Sequence, residues 1–150
     1  MVVIPLLSDV VVPILVGTSA VLPSAAHESD AGVDLRSAAE VRLEPGNWAL
    51  VPTGIRLNLP AGHVGLIVPR SGLALREGVT VLNAPGCVDP GYTGQIGVML
   101  INLGLAPYVV LEGDRVAQLL LVPFMRPRWS EVTDLDDSDR GGSGFGSSGR

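Results

Sequence analysis

An all-β fold of the sandwich or jelly-roll class is predicted by three features of this sequence. Short apolar or alternating segments recur at spacings of about 8 to 12 residues, with proline- and glycine-containing turns between them. No segment keeps an apolar period of 3.6 residues, apart from a short ambiguous stretch at residues 71–77. The length of 150 residues suits one domain with a genuine core.

Strands are predicted in the first half of the chain wherever such a segment is bounded by turn residues. Residues 31–35 alternate small or apolar with polar side chains, as a half-buried strand does. A turn at residues 44–46 precedes the third segment, and Pro60 and Pro69 follow the last two. The predicted strands are residues 10–21, 31–35, 48–51, 53–59 and 64–68.

Residues 83–95 predict a long β-hairpin connection, because they separate the apolar runs at 79–82 and 96–101 and contain two prolines and three glycines. Residues 89–91, Asp-Pro-Gly, fit a type II turn. Asp89 is then either a turn starter or a functional carboxylate. Asn83 and Tyr92 in the same stretch offer an amide and an aromatic face, which a planar polar ligand would use.

Three further positions carry candidate chemistry, each with a plain structural alternative. The serine and glycine after Arg70 offer a hydroxyl and backbone N–H groups for an anion, or they simply begin a turn or helix. Asp34 is a candidate, or an outward-facing strand residue. Gln118, inside the apolar run 116–121, needs hydrogen-bond partners if buried, so it either braces a loop or faces a ligand.

Composition limits the partners and predicts an assembly. The chain is 47% hydrophobic but only 4% aromatic and 17% charged, so we expect aliphatic surface to be buried against other subunits. Net charge of −5 argues against nucleic acid as a partner. The apolar start is broken by Pro5, Asp9 and Pro13, which predicts no membrane segment and a cytoplasmic protein. One cysteine, Cys87, allows neither an internal disulfide nor a cysteine-cluster metal site.

The C-terminal residues differ in character from the rest. Four aspartates at 134–139 lead into residues 140–150, which are rich in glycine and serine and predicted to be mobile in the free protein. Phe145 lies in the middle of this tail. It is either an incidental aromatic residue or part of a lid whose backbone folds closely over a ligand.

Five segments resemble, in order and spacing, the five motifs of the homotrimeric dUTPases. Two departures are small, with Ser143 where the tail motif usually has Gly and Gln95 where Glu is frequent. The resemblance spans roughly residues 10–149, and residues 1–12 are read as an extension without an assigned role. It divides the chain into a β domain at 1–137 and a flexible lid at 138–150. The five segments are residues 31–35, 69–74, 83–95, 113–118 and 140–149.

The resemblance implies a jelly-roll trimer that hydrolyses dUTP to dUMP and pyrophosphate at three sites between subunits. This reaction limits uracil incorporation into DNA and supplies dUMP for thymidylate synthesis. Asp89 would activate the water that attacks the α-phosphorus. Mg²⁺ would bind mainly through the substrate phosphates, with Asp34 acting on its water shell. The residues implied to hold the phosphates are Arg70, Ser71, Gly72 and Gln118, joined by Arg140 and Ser147 from the tail. Gly146 is implied to contact the substrate.

Substrate selection is implied to lie in the hairpin. Asn83 and backbone amides would match the hydrogen-bonding groups of uracil and not those of cytosine. A narrow hairpin would leave no space for the methyl group of thymine. Tyr92 would pack under the sugar, and Phe145 would stack on the base. Buried polar mismatches discriminate better than missing bulk, so cytosine should be rejected most strongly.

Two alternatives to this function are carried forward. dCTP deaminases share the fold and similar motifs, but they have a catalytic Glu where this chain has Met99 and a second Ser where it has Gly72, so both positions favour a dUTPase. A trimer that keeps the fold for binding or regulation without catalysis is the second alternative. The presence of all five motifs disfavours it.

Overall fold

The computed structural model describes residues 10–138 and 141–142. Within them the chain forms ten β-strands and one short α-helix, which confirms the predicted all-β class. The first half contains β1 (Ile14–Val16), β2 (Val33–Arg36), β3 (Val41–Leu43), β4 (Trp48–Leu57) and β5 (His63–Val68). The second half contains α1 (Ser71–Glu77), β6 (Val79–Val81), β7 (Gly86–Val88), β8 (Gln95–Asn102), β9 (Tyr108–Val110) and β10 (Arg115–Pro123).

The strands form two four-stranded sheets and one two-stranded ribbon, all antiparallel. The first sheet has the order β1-β4-β8-β6, the second β2-β10-β5-β7, and the ribbon pairs β3 with β9. The two large sheets remain separate in the described residues, so the fold is a distorted jelly roll and not a closed barrel.

One hydrophobic core lies between the two large sheets. Side chains alternate along β4 and β8, so that Val51 and Ile55 on one strand and Val98 and Leu100 on the other are buried. Leu35 and other residues of the second sheet belong to the same cluster. Alternation of this kind is the pattern of antiparallel sheets that bury one face.

The strand predicted at residues 10–21 is too long at both ends. Residues 10–21 contain a strand only at Ile14–Val16, because the Gly17 N–H bonds across to the Gly54 carbonyl at 3.0 Å and the Ala20 N–H turns back to the Gly17 carbonyl at 3.1 Å. A turn cannot continue a strand ladder, so the segment after Val16 is irregular.

The segments predicted at 48–51 and 53–59 are one strand, β4, which ends at Leu57. Pro52 lies inside it and has no N–H to donate. The register with β8 shifts between Pro52 and Arg56, and Gly54 adopts φ +70° there. A bulge is the usual way for a strand to accommodate proline.

The predicted hairpin at 79–101 is confirmed, since β6 pairs antiparallel with β8. The turn at 89–91 is also present. The Tyr92 N–H donates to the Asp89 carbonyl at 3.2 Å, and Gly91 adopts the φ of +88° that a type II turn requires at its third position. The sequence did not predict β7, which lies inside this connection. There the chain crosses from the first sheet to the second, and β7 pairs with β5.

The ambiguous stretch at 71–77 is helical. Helix α1 ends at Gly78, whose N–H bonds to the Ala74 carbonyl and whose φ of +67° is left-handed. Within the described residues, no helix combines the length and the hydropathy that crossing a membrane requires.

Candidate active site

Three of the predicted site residues, Asn83, Asp89 and Tyr92, line one cavity of about 230 Å³. Its walls come from both sheets, because β5 and β7 form one side and residues 95–99 of β8 form the other. This volume is below the ~300–1,000 Å³ typical of complete small-molecule sites. The cavity is therefore smaller than a complete small-molecule site.

Strand β7 positions Asp89 at this cavity. Gly86 and Val88 are buried and pair with Ile67 and Gly65 of β5, so Cys87 between them points away from the core. Asp89 follows directly and starts the turn. The turn-starter alternative and the functional one are thus compatible at Asp89, because the backbone carbonyl makes the turn and the carboxylate faces the cavity.

Tyr92 is held by its own loop. Its hydroxyl donates to the Gln95 carbonyl at 3.0 Å, which fixes the ring across the end of the hairpin. Gly94 leaves room for the tyrosine, because a β-carbon there would lie 2.5 Å from the tyrosine oxygen and would force the side chain to shift. The ring is half-exposed and presents an apolar surface to the cavity.

Cys87 is a cavity residue that sequence reasoning did not assign to the site. Its thiol donates to Asp89 Oδ1 over a distance of 3.7 Å. The pKa of the thiol is raised, first by partial desolvation in the cavity and then by the charge and the hydrogen bond of Asp89. The thiol therefore stays protonated at neutral pH.

A second group of predicted residues surrounds Asp34. Its carboxylate is only 6% exposed, and each oxygen is paired, Oδ1 with Arg70 Nε at 3.2 Å and Oδ2 with Arg115 Nη1 at 3.3 Å. Arg70 Nη1 also donates to the Arg115 carbonyl at 3.3 Å. Asp34, Arg70 and Arg115 are called the arginine cluster below.

The outward-facing alternative for Asp34 is half right. Leu35 beside it points into the core, so Asp34 does lie on the opposite face of β2. The two guanidinium groups cover that face, however, and the side chain is buried rather than solvated. Sequence alternation places the residue on a face but cannot show what covers it.

The remaining phosphate candidates adjoin the arginine cluster. Ser71 and Gly72 begin α1 directly after Arg70. Gln118 of β10 lies opposite Asp34 of β2 on one side and Val68 of β5 on the other. Its half-buried side chain packs on Gly32. Both alternatives for Gln118, a brace and a ligand contact, are compatible with this position. The predicted tail residues Arg140, Phe145, Gly146 and Ser147 lie outside the described residues.

The cavity and the arginine cluster are separate in one chain. None of Asp34, Arg70, Ser71, Gly72 or Gln118 lines the cavity. Strand β7 runs antiparallel to β5, with Val88 opposite Gly65, so Asp89 lies about six residues along β5 from Arg70. At ~3.3 Å per residue this is roughly 20 Å between α-carbons.

No group of three or more His, Cys, Asp or Glu side chains in residues 10–138 and 141–142 is arranged to hold a metal ion. Both oxygens of Asp34, the predicted metal-related residue, are paired with arginines. Asp34 thus orients Arg70 and Arg115 in this structure.

Comparison with known proteins identifies relatives along nearly the whole chain. A family model for dUTPase matches residues 18–149. A deoxyuridine 5'-triphosphate nucleotidohydrolase of Mycolicibacterium vanbaalenii is 55% identical over 134 residues, which cover 85% of this chain and 87% of the relative. That of Cutibacterium acnes is 47% identical over 144 residues, which cover 95% of this chain and 94% of the relative.

Solved structures agree with these relatives. A dUTPase variant of Staphylococcus bacteriophage 80alpha, solved with dUpNHpp, superposes with a TM-score of 0.87 at 30% identity, covering 93% of this chain and 99% of that one. A dUTPase variant from S. aureus phage phi11, whose structure describes the coordination of a structural Mg(II) ion, gives 0.78 at 28% identity, covering 85% and 99%. With its motifs, its fold and these relatives in agreement, the chain belongs to the dUTPase family.

Proposed function

We propose that this chain hydrolyses dUTP to dUMP and pyrophosphate, limiting uracil incorporation into DNA and supplying dUMP for thymidylate synthesis. The observation that carries the proposal is that one cavity presents a carboxylate, an amide and an aromatic face, from Asp89, Asn83 and Tyr92. Family membership and relatives named as deoxyuridine 5'-triphosphate nucleotidohydrolases support it.

Asp89 is the proposed general base. A carboxylate at a cavity wall can accept a proton from a water aimed at the α-phosphorus, and the pyrophosphate then leaves. Oδ1 already accepts from the Cys87 thiol, which helps to fix the carboxylate. A fixed base matters because phosphoryl transfer depends mostly on positioning and on neutralising charge.

Asn83 and Tyr92 are the proposed selectors of the nucleoside. The amide of Asn83 can donate and accept at once, so it can match uracil and mismatch cytosine. The ring of Tyr92, held by its bond to Gln95, would support the deoxyribose and leave no room for a 2′-hydroxyl. Met99 lines the same cavity and has no group that transfers protons, which disfavours a deaminase.

The phosphates are proposed to bind at Arg70, Ser71, Gly72 and Gln118. Asp34 holds the Arg70 guanidinium in place through a partly buried ion pair, and such charge-assisted contacts keep a long side chain ordered. Mg²⁺ would arrive on the triphosphate and neutralise part of its charge. Contact between Asp34 and the water shell of that ion stays a prediction.

The site is proposed to be shared within a homotrimer. Asp89 and Arg70 lie roughly 20 Å apart along β5 and β7 of one chain, so a second copy that brings its own Arg70 to this cavity would complete the site. The tail would then close over the nucleotide, with Arg140 and Ser147 on the phosphates, Phe145 on the base and Gly146 in contact with the substrate.

A pyrophosphate-release assay across the deoxynucleoside triphosphates tests the proposal. We expect release from dUTP and little from dCTP or dTTP. Asp89→Asn should keep its affinity for dUpNHpp while turnover falls by roughly 10² or more, the scale of a lost general base. Asp30→Asn, which removes an exposed carboxylate at a loop, is the matched control and should keep its turnover.

The other outcomes separate the alternatives. Ammonia release from dCTP would identify a deaminase. Binding of dUpNHpp without turnover of any triphosphate would favour a regulatory protein. Near-normal turnover of Asp89→Asn would remove Asp89 from the mechanism.

A further inference from the structure

Arg76 is a cation to which no role in the proposed reaction has been given. It lies in the last turn of α1, four residues after Gly72, so both residues face the same side of the helix. Helical side chains lean toward the N-terminus of their helix, and the Arg76 side chain does so here. Its guanidinium reaches back to Gly72.

The packing at Gly72 locates this guanidinium closely. A β-carbon added at Gly72 would lie 3.0 Å from Arg76 Nη1, 3.5 Å from Nη2 and 3.6 Å from Cζ. The head group therefore lies against the glycine, with Nη1 nearest to it. The absence of a side chain at position 72 is what allows the arginine to reach the segment that begins at Ser71.

The same guanidinium shares a neighbourhood with Arg70. The pKa of the Tyr108 hydroxyl is raised by burial first and then by Asp114 and Glu77, and both Arg70 and Arg76 oppose that rise. The Tyr108 hydroxyl is thus close enough to the guanidinium groups of both Arg70 and Arg76 for each to lower its pKa. Two arginines close to the Ser71–Gly72 segment, one just before it and one against Gly72, present more positive charge there than Arg70 alone.

The arginine cluster carries less positive charge than is needed to balance the charge of a triphosphate. Asp34 neutralises one of its two guanidinium groups, so the three side chains together carry a single positive charge. Arg70 also spends two of its donor nitrogens, Nε and Nη1, on acceptors of the protein. A triphosphate carries several negative charges and many acceptor oxygens.

Arg76, in contrast, is exposed, and within the described residues no acidic side chain forms an ion pair with it. Its donors are available to an incoming anion.

We propose that Arg76 is a further phosphate-binding residue, which contacts the triphosphate of the nucleotide from above Gly72. This rests on the proposed function, because it assumes that Arg70, Ser71 and Gly72 hold the phosphates. Gly72 then has a second purpose beyond its own backbone, since it makes space for the arginine. Arg76 discriminates by the number of phosphates and not by the base.

Binding of a nucleotide series by calorimetry tests the proposal on the full-length protein. Arg76→Gln should weaken dUpNHpp on the order of tenfold, the scale of one charge-assisted hydrogen bond, and leave dUMP within about twofold of the wild type. Arg76→Lys should recover part of the loss, because it restores the charge without the planar fork. Arg42→Gln, which makes the same charge change at an exposed arginine of β3, should alter neither affinity.

A double-mutant cycle tests the role of Gly72. Gly72→Ala should push the guanidinium away and weaken dUpNHpp in the wild-type background. In the Arg76→Gln background the same substitution should cost clearly less. Independent, additive losses would contradict the idea that Gly72 makes space for Arg76.

The outcomes distinguish this inference from the proposed function. Wild-type protein that neither binds dUpNHpp nor hydrolyses dUTP overturns both. Wild-type protein that does both, with an Arg76→Gln variant that binds dUpNHpp normally or loses dUMP and dUpNHpp equally, overturns the role of Arg76 alone.

Discussion

At the residue scale, the neighbour of the proposed base is the first consequence to test. Cys87 donates to Asp89, and its pKa is raised by desolvation and by that carboxylate. A raised pKa means less thiolate at a given pH. Since the thiolate is the nucleophile, alkylation of Cys87 by iodoacetamide should be slower than that of free cysteine near pH 8.

Mass spectrometry of the alkylated protein over time, at several pH values, measures this rate. Asp89→Asn removes the charge but not the desolvation, so the midpoint of the pH profile should move down and the rate near pH 8 should rise. A profile identical in both proteins would show that the carboxylate does not influence the thiol.

Asn102 is the residue whose loss should most affect the fold. It is fully buried in β8. Its amide donates to the carbonyls of Leu43 and Ala106, at 3.0 and 2.8 Å, and accepts from the Gly104 N–H at 2.8 Å. It joins β8 to β3 and to the loop before β9.

Asn102→Ala should lower the free energy of unfolding by about 2–4 kcal/mol, because one buried and two partly buried backbone groups lose their partner together. Urea unfolding followed by fluorescence measures the change. Asn58→Ala is the matched control, since the Asn58 side chain is exposed and its backbone N–H bond to Pro13 is kept. Equal destabilisation of the two variants would contradict the assigned role of Asn102.

At the element scale, the tail gives the clearest prediction. Residues 140–150 are mostly glycine and serine, a composition that cannot build a core of its own. Deleting them should leave the oligomer intact and cut turnover strongly, because the lid would exclude water from the reacting phosphate. Phe145→Ala should cost less, about 1–3 kcal/mol, and Phe145→Trp should recover part of it.

Steady-state kinetics on the truncated and substituted proteins checks this, with light scattering as the control for assembly. Full activity after truncation would show that the tail is not a lid and that Phe145 is incidental.

The elements also show what a sequence can and cannot predict. The hairpin of β6 and β8 and the turn at Asp89 are predictable, because apolar runs and Pro-Gly signals are local. Strand β7 is only three residues long, and its partner β5 lies some twenty residues earlier. Nothing local distinguishes such a strand from a loop.

The arginine cluster was unpredictable as a contact for the same reason. Arg70 and Arg115 lie 36 and 81 residues from Asp34. Motif resemblance placed Asp34 and Arg70 in one site, but their pairing is set by strand register. Arg115 lies within a predicted motif and received no role, because only the folded chain brings it to Asp34.

At the scale of the whole molecule, the separation of Asp89 from Arg70 predicts that activity needs more than one chain. Trp48 and Leu50 on β4 are each about 60% exposed, and such neighbouring apolar side chains are typical of surfaces that another subunit covers. Light scattering should report about three chains per particle. A fully active monomer would sink the shared-site proposal.

Complementation tests the sharing directly. Asp89→Asn and Arg70→Gln should each be nearly inactive alone. If the two residues of one site come from different chains, a co-expressed mixture contains some intact sites and should regain a measurable part of wild-type turnover. A protein carrying both substitutions in every chain is the control, and it should stay inactive. No recovery in the mixture would place Asp89 and Arg70 of one site in the same chain.

Strand β7 belongs to the second sheet, although β6 and β8 on either side of it in the sequence belong to the first. The cavity wall is therefore divided between the two layers of the domain. A nucleotide that fills the cavity therefore bridges both layers, and they cannot separate until it dissociates. A free nucleotide concentration about a hundred times the dissociation constant would add roughly 2.7 kcal/mol to the free energy of unfolding. The lifetime of this enzyme against proteases should then follow the supply of its own nucleotide, and it should be cleared fastest when there is nothing to hydrolyse.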